Sequence, residues 1–149
     1  MNKNISKNNY TVLILDIGKL FKSGRQKAFQ AVNKTLINTY WNIGRRIVEF
    51  EQHGEDKAEY GSKLLVDLSK DLKNLYGKGF SRSNLQYMRL FYLKFEKRQT
   101  LSGKLNWSHY IELISVSDDL ARSFYYNQCI NENWSVRELK RQRSSALLC

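Results

Sequence analysis

The sequence contains no proline, only two cysteines and two histidines, and 14 acidic residues against 25 basic ones. Average usage would place roughly seven prolines in a chain of this length. Their absence argues against a turn-rich β architecture and for long, unbroken helices. Cys129 and Cys149 form neither a disulfide framework nor a CxxC pair, so they read as reduced thiols in the cytoplasm. The longest apolar run, Val12-Leu13-Ile14-Leu15, is closed by Asp16. That is far short of the ~20 residues of a membrane span and does not make a secretory segment.

Against these absences stand 149 residues that are 42% apolar and 13% aromatic, enough for one domain with its own core. The net charge of +11 is uneven, at +7 over residues 1–50, +3 over 51–100 and +1 over 101–149. A basic first third suits a polyanion such as nucleic acid.

The apolar spacing is helical nearly throughout. Residues 1–9 are polar and expected to be disordered. From Tyr10, Leu13, Ile17, Leu20 and Phe21 mark a first helix, which Gly24 is expected to end. Phe29, Val32, Leu36, Tyr40, Ile43, Ile47 and Phe50 mark a long second helix over 25–52. Gly44 lies within it, where glycine costs about 1 kcal/mol and implies close approach of another helix. His53 to Asp56 reads as a helix stop and acidic loop. A third helix runs through Leu64, Leu68 and Leu72 to Tyr76, and Gly77-Lys78-Gly79 connects it to a fourth, N-capped by Ser81 and ending near Lys97. A polar loop over 99–104 leads to a fifth helix starting near Asn106 to Ser108. Ser117 with Asp118 and Asp119 opens a sixth, and a capping box at Ser135 and Glu138 opens a seventh. The fold class is therefore all-α, a domain of about seven helices over residues 10–149.

Catalytic chemistry is not evident in these residues. His53 and His109 have no cysteine at ligand spacing, and there is no GxSxG, GxxxxGK[ST] or GxGxxG. His109, at a helix start, reads as a structural hydrogen-bonding group. Acid-x-Lys triplets occur at Glu55-Asp56-Lys57, Asp71-Leu72-Lys73 and Glu138-Leu139-Lys140. The last two lie on helices, where i and i+2 diverge, and the first lies in the acidic loop. No metal, cofactor, small-molecule substrate or membrane partner is implied.

The third and fourth helices with their glycine connector, residues 59–97, have the pattern of a helix-turn-helix, whose second helix enters the DNA major groove. Leu85, Met88, Tyr92 and Phe95 fall on one side of the fourth helix, and Arg82, Gln86 and Arg89 on the other. Arginine pairs with guanine and glutamine with adenine at major-groove edges. Lys78, Ser81 and Ser83 lie near the helix N-terminus, where phosphate is favoured. Further phosphate candidates are Lys19, Lys22, Arg25 and Lys27 in the first third, and Arg137, Lys140 and Arg141 with Arg143 in the last helix. Leu90 and Leu93 make the outer face of the fourth helix less polar than a reading helix requires. The aromatics Tyr40, Trp41, Phe91, Tyr92, Phe124 and Trp134 sit in helical stripes and read as core.

Tyr40-Trp41-Asn42-Ile43-Gly44-Arg45-Arg46-Ile47 resembles a characteristic segment of the bacterial YhcG-like proteins. So do Phe80 to Leu85 with Met88-Arg89, Leu105 to His109, Phe124-Tyr125, and Trp134 to Leu139, in the same order. The resemblance implies a helical N-terminal domain assigned to DNA binding, which in that family precedes a PD-(D/E)XK nuclease domain. The nuclease half is expected to lie outside this chain. The reading is thus a non-catalytic domain that binds double-stranded DNA and positions a nuclease. The competing reading is a protein-interaction or homodimerisation module, and RNA binding is a third.

Overall fold

The computed structural model describes residues 3–53, 57–96 and 101–148, with side chains described for 8–53, 63–96 and 101–146. The described residues form six helices: α1 (Lys3–His53), α2 (Lys57–Tyr76), α3 (Arg82–Lys94), α4 (Trp107–Ile114), α5 (Asp119–Asn131) and α6 (Val136–Leu148). No strand occurs among the described residues. The count is one lower than expected because Gly24 does not end a helix. It is flanked by good helix formers such as Lys22, Arg25, Gln26 and Ala28, and the ~1 kcal/mol cost of an interior glycine does not outweigh the cooperativity of those turns. The first two expected helices merge into α1, about 76 Å long. The merged helix begins at Lys3, inside the stretch 1–9 expected to be disordered. Residues 54–56, the expected acidic loop, and 97–100 lie outside the described residues.

α3 is the central helix, packed against α1, α2 and α4. It buries Leu85, Met88 and Phe91, one side of the helix by their spacing. The crossing with α1 is close: a Cβ placed on Gly44 would lie 1.9 Å from the Met88 carbonyl oxygen. The glycine expected to admit a helix does so.

Two apolar clusters flank this crossing. One gathers Ile47, Leu65, Leu85 and Met88 between α1, α2 and α3. The other joins Ile37, Phe91, Leu105, Tyr110, Leu113 and Leu139 across α1, α3, α4 and α6. Phe91 is its aromatic hub, with ring centroids 4.9 Å from Tyr110 and 5.2 Å from Trp107. Such offset and tilted pairs add to burial. Of the six aromatics expected in the core, Trp41 and Phe91 are buried, and Tyr40, Tyr92 and Trp134 pack on it half-buried. Phe124 is exposed, against Tyr125. α5 turns Arg122 and Cys129 inward, and at 100° per residue that places Phe124 on the far side.

The helix ends are capped by side chains. Asn106 and His109 cap α4 reciprocally: Asn106 N–H donates to His109 Nδ1 at 3.1 Å, and His109 N–H donates to Asn106 Oδ1 at 3.0 Å. His109 Nε2 lies 2.8 Å from the Trp134 carbonyl, so a proton on Nε2 ties α4 to the start of α6. This is the structural role the sequence suggests. α5 is capped by Asp118, whose carboxylate accepts from Ala121 N–H at 2.8 Å, rather than by Ser117. At α6, Ser135 Oγ accepts from Glu138 N–H, but the Glu138 carboxylate turns forward to Arg141 and Gln142. The charged guanidinium is the stronger donor, so half of the expected capping box is made.

Cys129 is buried, and burial pushes its thiol up to about 11. Only the thiolate reacts. Cys129 is therefore expected to resist iodoacetamide at pH 8 in the native protein and to react once denaturant is added. Mass spectrometry of the native protein showing rapid carbamidomethylation at Cys129 would contradict this packing.

Candidate nucleic-acid interface

The turn between α2 and α3 is built on two glycines with left-handed backbone, Gly77 at φ +89° and Gly79 at φ +110°, where a Cβ would be strained. Buried Ser69 on α2 donates to the Phe80 carbonyl at 2.8 Å. Ser81 then caps α3, its Oγ accepting from Asn84 N–H at 3.0 Å. The Asn84 carboxamide donates to the Gly79 carbonyl at 2.6 Å and accepts from Trp107 Nε1 at 2.7 Å. Three elements thus hold the first turn of α3 in place.

From this anchored start, Arg82 points to solvent and Gln86 is half-buried. Arg89 differs. Its guanidinium makes a two-pronged ion pair with Glu51 near the end of α1, Nε to Oε1 at 2.7 Å and Nη2 to Oε2 at 3.0 Å. The two side chains are 28% and 16% exposed. Of the three residues expected to read bases, the structure keeps Arg82 and Gln86 on the accessible part of α3 and clamps Arg89 to α1. Leu93 is exposed beside them, whereas Leu90 packs on the larger cluster.

The phosphate candidates fall into separate groups. Lys78 in the turn and Ser83 in the first turn of α3 are exposed next to Arg82. The Ser81 hydroxyl lies there too, engaged as the cap. Lys19, Lys22, Arg25 and Lys27 are exposed along α1 but spread around more than half of its circumference. Arg25 lies over the Phe21 ring at 5.6 Å, a cation–π contact. On α6, Arg137 and Lys140 are exposed, but Arg141 is held by Glu138 at 2.7 and 2.9 Å. The Arg141 and Gln142 hydrogen bonds lower the Glu138 carboxyl to about 2. Arg143 is likewise paired, with Glu112 at 2.6 Å. Among the described residues no hydrogen bond or ion pair joins the three groups. The acid-x-Lys triplets of α2 and α6 lie on helices as read, and Glu55-Asp56 lies outside the described residues.

Sequence reasoning missed Glu51, which determines what Arg89 can do. No local signal marks it, since the partners are 38 positions apart. By contrast, Arg45 and Arg46 pair with Glu49 at 2.7 and 2.9 Å within one helical turn, where the partners are marked by spacing alone.

The sequence profile of the DUF1016 N-terminal domain matches residues 16–148. The chain belongs to this family. It is 42% identical, over an alignment 155 positions long, to a protein of Escherichia coli (strain K12) named "Putative nuclease YhcG". That alignment covers 83% of this chain and 41% of the relative. The chain thus spans about two-fifths of the length of the relative it matches, consistent with the N-terminal domain of YhcG-like proteins. No solved structure matches the chain. Among the described residues, no helix is long and apolar enough to cross a membrane, and no group of three or more His, Cys, Asp or Glu stands close enough to hold a metal ion.

Proposed function

We propose that this domain binds double-stranded DNA without cutting it and, in longer relatives, positions a nuclease domain on the duplex. The observation that carries this reading is the end of α3. Lys78, Arg82, Ser83 and Gln86 gather around a helix N-terminus whose opposite face is fixed in the core. In this reading α2, the glycine turn and α3 act as a helix-turn-helix. The N-terminal part of its second helix meets base edges while the flanking residues hold phosphate. Arg82 and Gln86 read, Lys78 and Ser83 anchor, and the basic arm of α1 with Arg137 and Lys140 adds backbone attraction. The name of the E. coli relative supports a nucleic-acid target, and a chromosomal target places the domain in the cytoplasm.

Fluorescence-anisotropy titration of labelled duplexes across a salt series tests the proposal. Affinity is expected to fall linearly on a log–log plot, with a slope of about −0.9 per phosphate contact. Lys78→Ala should weaken binding to all sequences and reduce that slope by about one. Arg82→Ala should relax sequence preference at one position, at a cost of about 1–3 kcal/mol against the preferred site. Absence of binding at low salt would remove the proposal.

A further inference from the structure

α1 extends well beyond the body of the domain. From Asn8 to Gln26 every residue is exposed except half-buried Gly18, a length of about 28 Å. This arm is not polar. Tyr10, Ile14, Ile17 and Phe21 fall on one side at 100° steps, and Val32 and Leu36 continue the same stripe. Ile17 is 56% exposed and Val32 71%. A lone helix of this length is marginal in water and draws its stability from packing such a stripe. Contiguous apolar surface above a few hundred Å² marks an interaction site.

The stripe continues into the body. Ile43, Ile47 and Phe50 of α1, with Leu64, Leu68 and Leu72 of α2, line an apolar groove of about 520 Å³. One helix therefore carries an apolar ridge at one end and one wall of an apolar groove at the other. Two copies related by a twofold axis satisfy both at once, since an isologous contact uses the same surface twice.

We propose that the domain forms an antiparallel homodimer through α1, each arm lying in the α1–α2 groove of the other copy. With Val32 on the axis, Ile14 meets Phe50 of the second copy, Phe21 meets Ile43, and Ile17 lies over the groove floor at buried Ile47. The charges on the stripe are compatible with this register. Arg25 faces Thr39 and Arg46 faces Gly18, so no two like charges on the stripe oppose each other; Lys19 and Arg45, at the same level, lie on sides of α1 turned away from the stripe. From residue 14 to residue 50 the contact runs about 54 Å along a helix about 10 Å wide. That is roughly 540 Å² per partner, below the ~800 Å² of a standard interface but, at about 1,080 Å² in total, just above the ~1,000 Å² a specific interface needs.

Light scattering coupled to size exclusion, from micromolar to submillimolar protein, should give twice the 17.6 kDa chain mass. Ile17→Glu, on the arm and outside the core, should return a monomer whose circular dichroism remains helical. Val32→Cys in a Cys149→Ser background should be linked into a covalent dimer by a short bis-maleimide. Val12→Cys, on the opposite side of the arm, should not. A monomer at every concentration overturns the proposal. So does a dimer in which Val32→Cys fails to link or Val12→Cys links equally well. No nucleic acid enters these measurements, so their outcome is independent of the DNA-binding proposal.

Discussion

Gly44→Ala is expected to destabilise the fold by about 3 kcal/mol, a fall of roughly 10 °C in Tm for a chain of this size. The added Cβ would sit 1.9 Å from the Met88 carbonyl oxygen, 2.7 Å from its carbonyl carbon and 3.2 Å from Tyr92 Cβ. Two of these atoms are backbone, so no rotamer change relieves the contact. α1 and α3 must separate, and every layer of the crossing loosens with them, including Ile47 against Leu85 and Met88. Gly24→Ala is the matched control. Nothing lies within 4 Å of its Cβ position, so replacing an interior helical glycine should be neutral or stabilising by up to about 1 kcal/mol. Urea denaturation of both variants followed by circular dichroism checks the pair. Equal midpoints for Gly44→Ala and the parent chain would mean that the helices do not cross as closely as described.

Arg89→Ala is expected to cost about 2–3 kcal/mol, toward the lower end for breaking a buried pair, because both groups retain some solvent contact. The loss arises less from the attraction removed than from the Glu51 carboxylate, 16% exposed, left without its cation. Adding Glu51→Gln should therefore restore part of the stability, and the double-mutant cycle should show a coupling of at least 1 kcal/mol. The same variant separates two roles for Arg89. As a clamp between α1 and α3 it sets where α3 lies, and Arg89→Ala should leave sequence preference unchanged at temperatures where the protein is folded. A changed preference with unchanged stability would instead make Arg89 a base reader.

Most of the helices were legible along the chain because each rests on interactions within a few residues. The inward faces of α1 and α3, the cap at Ser81, the glycine turn and the use of Gly44 all follow from periodicity and local stereochemistry. Among the expectations that failed, two show how small or shared local terms lose. Gly24 costs only about 1 kcal/mol as an interior helical residue, too little to outvote its neighbours. Glu138 had two donors within a turn on its C-terminal side, and they compete with the cap for its carboxylate.

The candidate site shows the limit more sharply. Arg82, Gln86 and Arg89 share one side of α3 by spacing alone, but spacing says nothing about what lies opposite that side. Helix α1 brings Glu51 across from 38 positions away, and the trio divides into two accessible groups and one clamp. The same holds for the apolar residues of the arm. Periodicity marked Ile17 and Val32 as residues that seek cover; Ile17 is exposed because it lies beyond the body, and Val32 because it is on the side of α1 turned away from the 101–105 loop that Asn33 holds. Local spacing specifies which way a side chain points from its own helix, whereas long-range packing decides whether a partner, a second copy or solvent is there to meet it.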